Sequence, residues 1–484
     1  MSTIPVVVKH SGKKYDVELN IAEPGLVFKM QLYSLTGVAP ERQKILAKGG
    51  QLKDDTDMST LNLKPGHVFM LIGSAGALPA APATQTNFIE DMSDRQIAET
   101  AMIPAGLANL GNTCYLNSTV QALKNVPELM ISLKSYKGQA SSSGMDLTTS
   151  LKEVFNGMNQ TAAAYSPYVF LTSLRSIFPQ FAERSNEGFY KQQDAEEAWS
   201  QILSALRPKL MHHNGDLFID KFFGGKFETT LQCDEAPEEE PKKSVEDFLK
   251  LSCHITKETN FLRDGLLNGV NEKIEKTSEL LGRNAQYTLT KRISRLPKYL
   301  TVQYVRFYWR RDIQKKAKIL RKVAFPFELD VTELCTEELK KDVIPVREKI
   351  REIKKEQEEA IRSAKRARVQ NSSANDADDD QSIISTEKLK EYKQAYESVI
   401  PEKLKDDGSN PSALYELAAI VSHQGASADS GHYQCFAKND KEGGKWWRFN
   451  DDKVSIVDQA KIETLAGGGE SDSALILLYR AVEI

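Results

Sequence analysis

The chain has 484 residues, 40% of them hydrophobic and 27% charged, which is ordinary globular composition and length enough for about three domain-sized units. Its 64 Lys and Arg against 67 Asp and Glu leave a net charge of −3, which excludes the basic bias of a protein built chiefly for nucleic acid or an anionic membrane surface. Five cysteines with no Cys-x-x-Cys pair exclude a disulfide framework and a zinc ribbon.

The first twenty residues lack the apolar core of a signal peptide, and no run approaches the roughly 18 apolar residues of a membrane helix. A cytoplasmic location is expected. The basic run Lys365-Arg366-Ala367-Arg368 leaves the nucleus open, although it reads first as a solvated face.

Residues 1–75 read as a separate unit. Val6–Lys9 is short and β-branched, Lys13–Leu19 alternates apolar with polar, and Ser11-Gly12 between them suits a hairpin turn. Leu26, Phe28, Met30, Leu32 and Tyr33 predict a helix over Leu26–Leu35. Strand-like Lys44–Ala47 and Val68–Ile72 follow, giving the order β-β-α-β-β. Residues 76–102, rich in Ala, Pro and Thr and then polar, have linker composition.

From Ile103 the chain reads as one mixed α/β region, 103–484, interrupted near 347–385. There Arg347–Arg368 predicts a solvated helix with i,i+4 charge pairs, and the following NSSANDADDDQS is too polar to bury anything and reads as disordered.

Gly111-Asn112-Thr113 is a turn signal, after which Leu116, Val120 and Leu123 recur at helical spacing, so a helix begins near Cys114. A cysteine there faces unpaired backbone N–H groups and the positive end of the helix dipole, which favour its nucleophilic thiolate. The plain alternative is a small buried core cysteine. Gln192-Gln193-Asp194-Ala195-Glu196-Glu197 is an acidic helix start ahead of Trp199, Ile202, Leu203 and Leu206. Farther on, Leu414–Val421 reads as a strand, Gly425–Gly431 as a mobile loop, and Tyr433–Ala437 and Trp446–Phe449 as an antiparallel hairpin. His432 starts one strand and Asn450 ends the next, so the imidazole can meet an orienting amide. Asp451, directly after it, could share that role.

Three strings carry a resemblance. PERQKILAKGGQLKDDTDMSTLNLKPGHVFMLI, within residues 3–73, resembles ubiquitin and its integral ubiquitin-like relatives. It ends Ile72-Gly73-Ser74-Ala75, without the paired glycines of a conjugated modifier, so the resemblance implies a fixed docking domain with Leu46 and Leu71 in its recognition patch. GLANLGNTCYLNSTVQAL resembles the Cys box of the ubiquitin-specific proteases, QQDAEE their second signature, and Tyr415–Val454, with SGHY and WWRFND, their His box.

The resemblance implies an α+β chain: a β-grasp ubiquitin-like domain, then a papain-like catalytic domain of thumb, palm and fingers. It implies Cys114 as nucleophile, His432 as general base, Asn450 as its orienter and Asn109 as an oxyanion donor. Gln193, Asp194, Ser430 and Tyr433 would contact the ubiquitin tail, Asp194 by holding its basic residues. The buried-strand string Leu296-Pro297-Lys298-Tyr299-Leu300 is family-like as well. Cys233, Cys253 and Cys335 are singly placed, unlike the paired zinc ligands of many relatives, so no metal and no cofactor are expected.

Together these features are most similar to the proteasome-associated member of the family. The implied partners are ubiquitin, polyubiquitinated proteins and the 26S regulatory particle, with no nucleic acid, no membrane and a monomeric free state. The loop before His432 would cover the active-site channel of the free enzyme. A non-catalytic adaptor that binds ubiquitin and the proteasome is the alternative.

Overall fold

The structure, a computed structural model, describes residues 3–47, 50–74, 103–138, 146–310, 315–370, 384–427, 430–469 and 472–484. The expected linker 76–102 and the NSSANDADDDQS stretch lie outside them. The chain divides into two compact units, Met1–Phe88 and Ile89–Ile484.

In the first unit β1 (Thr3–His10), β2 (Lys13–Asn20), α1 (Gly25–Thr36), β3 (Lys44–Ala47), β4 (Gly50–Gln51) and β5 (His67–Ile72) build one sheet of order β2-β1-β5-β3-β4 with, among the described residues, one α-helix. Ser11 and Gly12 both take positive φ, 44° and 79°, as a two-residue hairpin turn requires. Phe28 and Leu32 of α1 are buried with Val6, Val8, Val17, Leu19, Ile45, Phe69 and Leu71, whereas Met30 and Tyr33 stay exposed.

That core corrects one expectation. Side chains in a strand alternate between faces, and β5 turns Phe69 and Leu71 inward and Val68, Met70 and Ile72 outward. Leu71 is 3% exposed and belongs to the core, not to a docking patch. Leu46 is 47% exposed, and its exposed neighbours are Met70, its pairing partner across β3 and β5, and Ile72.

Among the described residues the second unit opens with the helices α2 (Cys114–Lys124), α3 (Pro127–Ser135), α4 (Leu147–Met158), α5 (Tyr168–Ile177) and α6 (Ala195–Leu206), followed by a short helical turn at Phe218–Phe222. Next come β6 (Gly225–Cys233), β7 (Lys242–Phe248), β8 (Leu251–His254), α7 (Leu262–Gly269), β9 (Asn271–Thr277), β10 (Asn284–Arg295), β11 (Tyr299–Val305), β12 (Phe307–Arg310), β13 (Lys315–Lys318) and β14 (Glu328–Asp330). Two long helices, α8 (Glu337–Gln370) and α9 (Thr386–Val399), precede β15 (Leu414–Ser427), β16 (Ser430–Lys438), β17 (Lys445–Asn450), β18 (Lys453–Asp458) and β19 (Ser473–Ala481).

The larger sheet runs β18-β17-β16-β15-β19-β11-β8, with β14 added on β15, and a separate four-stranded sheet runs β7-β6-β10-β9. Strand β19 lies inside the large sheet, antiparallel to both β15 and β11. Its residues SALILLYRA are nearly all buried, the continuous apolar run of a strand covered on both faces. Helix α2 packs on β16, and its residues from Cys114 to Leu123 are buried throughout. The expected loop Gly425–Gly431 is mostly strand: β15 reaches Ser427, β16 starts at Ser430 opposite it, and a bulge follows Gln424. Residues 428–429 lie outside the description.

The charged insertion is not a purely solvated helix. Val346, Ile350 and Ile353 of α8 form a small core with Tyr392 and Tyr396 of α9 and with Leu414 and Val482. Cys233, Cys253 and Cys335 are buried free thiols.

Candidate active site

The chain reaches Cys114 through a tight turn. Asn109 Oδ1 accepts from the Gly111 N–H at 2.9 Å, and Thr113 Oγ1 accepts from the Leu110 N–H at 2.9 Å. Gly111 and Asn112 take φ of 95° and 53°, a sharp reversal that glycine and asparagine tolerate. The turn leaves Cys114 as the first residue of α2, as its sequence context predicts.

Cys114 is 2% exposed. Its Sγ receives the Tyr433 N–H at 3.5 Å and lies 3.7 Å from Nε2 of Gln192. Burial pushes the thiol up to about 11, and the Asp451 carboxylate acts in the same direction. The N–H groups of Tyr433, Tyr115 and Cys114 itself pull it down, and burial wins. The helix start alone would favour a thiolate, so this is a correction: the resting nucleophile is a neutral thiol. Alkylation of Cys114 in the free protein, followed by peptide mass spectrometry, should rise about tenfold per pH unit from pH 7 toward 10. Levelling near pH 8 to 9, as for an ordinary thiol, would refute the raised value.

His432 stands on β16 next to Tyr433. Its Nε2 meets Asn450 Oδ1 at 2.6 Å across the β16–β17 hairpin. An amide oxygen only accepts, so Nε2 carries the proton and Nδ1 is left as the basic nitrogen. Between Asn450 and Asp451, the amide is therefore the imidazole's hydrogen-bond partner, and Asp451 Oδ2 lies farther off at 3.9 Å.

Asp451 does something else. At φ 53° it turns its carboxylate back toward α2, where Oδ1 accepts from Asn117 Nδ2 at 2.8 Å and Oδ2 from Asn109 Nδ2 at 2.9 Å. Its carbonyl accepts from the Leu107 N–H at 2.9 Å. Gly106 is required for that approach, since a Cβ there would lie 2.5 Å from the Asp452 carbonyl oxygen. Asp451 thus ties the nucleophile's turn to the strand carrying Asn450, and in doing so it occupies the Asn109 amide expected at the oxyanion.

The expected substrate contacts divide. Asp194 caps α6, accepting from the Glu196 N–H at 2.9 Å. Gln193 is half-buried beside it, and the glutamine that reaches the thiol is Gln192, whose amide also donates to the Gly431 carbonyl at 3.1 Å. Both precede the helix outside any strand, and composition alone does not reveal which of the two side chains faces the cysteine. Ser430 is exposed, opposite Ser427. Tyr433 is 1% exposed and its ring packs on His423 at 4.7 Å, so it serves the site through its backbone, which corrects the expected side-chain contact. Gly431, at φ 124°, is hemmed in: a Cβ would sit 2.2 Å from the Gln424 carbonyl oxygen and 2.6 Å from His423 Nε2.

Comparison with known proteins bears on this arrangement. A family model described as ubiquitin carboxyl-terminal hydrolase matches residues 105–479, and one described as ubiquitin family matches residues 6–76. Ubiquitin carboxyl-terminal hydrolase 6 of Schizosaccharomyces pombe is 47% identical over 99% of both chains. Ubiquitin carboxyl-terminal hydrolase 14 of Caenorhabditis elegans is 35% identical over 99% of this chain and 94% of its own. Among solved structures, a chain of the SAGA Ubp8/Sgf11/Sus1/Sgf73 DUB module bound to ubiquitin aldehyde shares the fold, with a TM-score of 0.51 and 20% identity over 78% of this chain and 70% of that one.

Proposed function

The chain belongs to the ubiquitin carboxyl-terminal hydrolase family and is a cysteine-type deubiquitinase with an N-terminal ubiquitin-like domain; on that premise we propose that it trims ubiquitin from proteins held on the proteasome, with Cys114 as its nucleophile. The observation that carries the site assignment is the hydrogen-bonded line from Cys114 Sγ to the Tyr433 N–H, with His432 adjacent in sequence and bound to Asn450.

In the proposed reaction His432 Nδ1 takes the Cys114 proton, and Sγ bonds to the carbonyl carbon of ubiquitin's terminal glycine. The oxyanion faces the Cys114 N–H, which has no intrahelical partner at the first position of α2, and the Asn109 amide joins it on leaving Asp451. The C–N bond then breaks as His432 protonates the departing lysine amine. Water, deprotonated by His432, attacks the thioester and releases the ubiquitin carboxylate and the thiol. A ubiquitin bearing a C-terminal electrophile tests this reading. Its adduct belongs on Cys114, and absence of any adduct with and without proteasome would favour the non-catalytic adaptor.

Low activity in the free state is part of the same proposal. The neutral, buried thiol and the Gln192 contact spanning Cys114 and Gly431 support it, since an incoming ubiquitin tail needs that space. The exposed row Leu46, Met70 and Ile72 is the proposed proteasome contact. Titrating purified proteasome into a fluorogenic ubiquitin assay should raise turnover at least about tenfold. Leu46→Ser with Ile72→Ser should abolish the rise and leave the basal rate unchanged. Equal rates with and without proteasome would sink this regulation.

A further inference from the structure

The far end of α2 opens on a cavity of about 840 Å³ between that helix, the end of α4 and the β16–β17–β18 hairpins. Its volume lies in the range of small-molecule sites. Cys114 and Lys124 are the two ends of an eleven-residue helix, about 15 Å apart along the axis, and none of the catalytic groups lines the cavity. Met158, Trp447, Phe449 and Ile456 supply an apolar wall.

Several polar side chains in this wall have partners, and Lys124 does not. Gln121 donates to the Ala105 carbonyl at 2.9 Å and Asn125 to the Ala418 carbonyl at 2.9 Å. Lys438 is paired with Glu416, and Asp440 with Arg480 at 2.6 Å. Lys124 has no hydrogen bond or ion pair among the described residues. Burial lowers its ammonium to about 8, and no carboxylate offsets that: Asp440 is held by arginine, and Glu442 is exposed at the rim. The negative end of α2 tolerates a cation there but supplies no counter-ion. An ammonium in an apolar-walled cavity without an anion is a complementary half of a charge pair.

We propose that this cavity binds a small amphiphilic carboxylate, its apolar body against Trp447, Phe449 and Ile456 and its carboxylate on the Lys124 ammonium. Neither the catalytic assignment nor the proteasome reading is needed for it.

Calorimetric titration of the full chain with octanoate tests the proposal, with 1-octanol as the uncharged match. Octanoate should bind saturably at one site, at least about tenfold tighter than octanol. Lys124→Met should weaken octanoate about tenfold or more and leave octanol unchanged, with turnover of a ubiquitin substrate and the thermal midpoint preserved. No octanoate binding, octanol binding as tightly, or undiminished binding to the variant would each overturn it. Should the variant fail to fold, the ¹³C-methyl signal of reductively methylated Lys124 decides in the wild-type chain. Octanoate should move its titration midpoint upward from about 8, and an unmoved midpoint would overturn the site.

Discussion

Cys114→Ala should lower hydrolysis of a ubiquitin C-terminal amide at least about 10⁴-fold while ubiquitin binding stays within about twofold. Alanine leaves His432 and Asn450 in place but removes the only atom that can carry the acyl group. The variant also removes the acceptor for the Tyr433 N–H, a stability cost of about 1 to 2 kcal/mol. Cys114→Ser restores that acceptor and should recover stability without activity. Single-turnover kinetics and a denaturant melt on both variants separate the two effects. Hydrolysis by the alanine variant above background would end the assignment.

Asp451→Ala should damage both stability and turnover. It removes the carboxylate that accepts from the exposed Asn109 amide and from Asn117, whose amide keeps the Ala108 carbonyl at 3.2 Å, and it places alanine at φ 53°. The charged hydrogen bond lost by buried Asn117 costs about 1 to 3 kcal/mol, that of exposed Asn109 adds little, and the left-handed backbone adds about 1 to 2. A net loss of about 2 to 5 kcal/mol is expected, against less than about 1 for the exposed Asp452→Ala. Turnover should fall about 10²- to 10³-fold, since the turn that sets Cys114 is no longer tied to the strand of Asn450. Asp451→Asn keeps one acceptor and tolerates the backbone, so it should fall between. An Asp451→Ala protein of unchanged stability would show that the carboxylate ties nothing. Unchanged stability with lost turnover would point instead to direct action on His432, 3.9 Å away.

Much of this was legible in the sequence because local chemistry and local structure agree. The turn before Cys114, the acidic cap at Asp194 and the hairpin joining His432 to Asn450 each rest on residues close together in the chain. What stayed hidden depends on the third dimension. Leu71 and its neighbours Met70 and Ile72 are all apolar, so composition does not say which face of β5 they take, and the pairing to β3 decides it. The thiol was expected to be lowered by α2, but its burial under β16 is a tertiary fact with the opposite and larger effect. Gln192 and Gln193 are chemically identical and differ only in the side of the chain they occupy. Val346, Ile350 and Ile353 sit at helical spacing, yet the charges around them disguised a buried face in α8.

The place of β19 carries a consequence for synthesis. Cys114 and α2 emerge early, but the sheet they pack on cannot close until Ser473–Ala481 slides between β15 and β11, roughly 370 residues later. At about 5 to 20 residues per second, the nucleophile therefore waits roughly 20 to 70 s on the ribosome without a neighbouring base. A chain halted after Asn450 but before β19 carries every catalytic side chain on a sheet that lacks its central strand, and such a fragment should not cut.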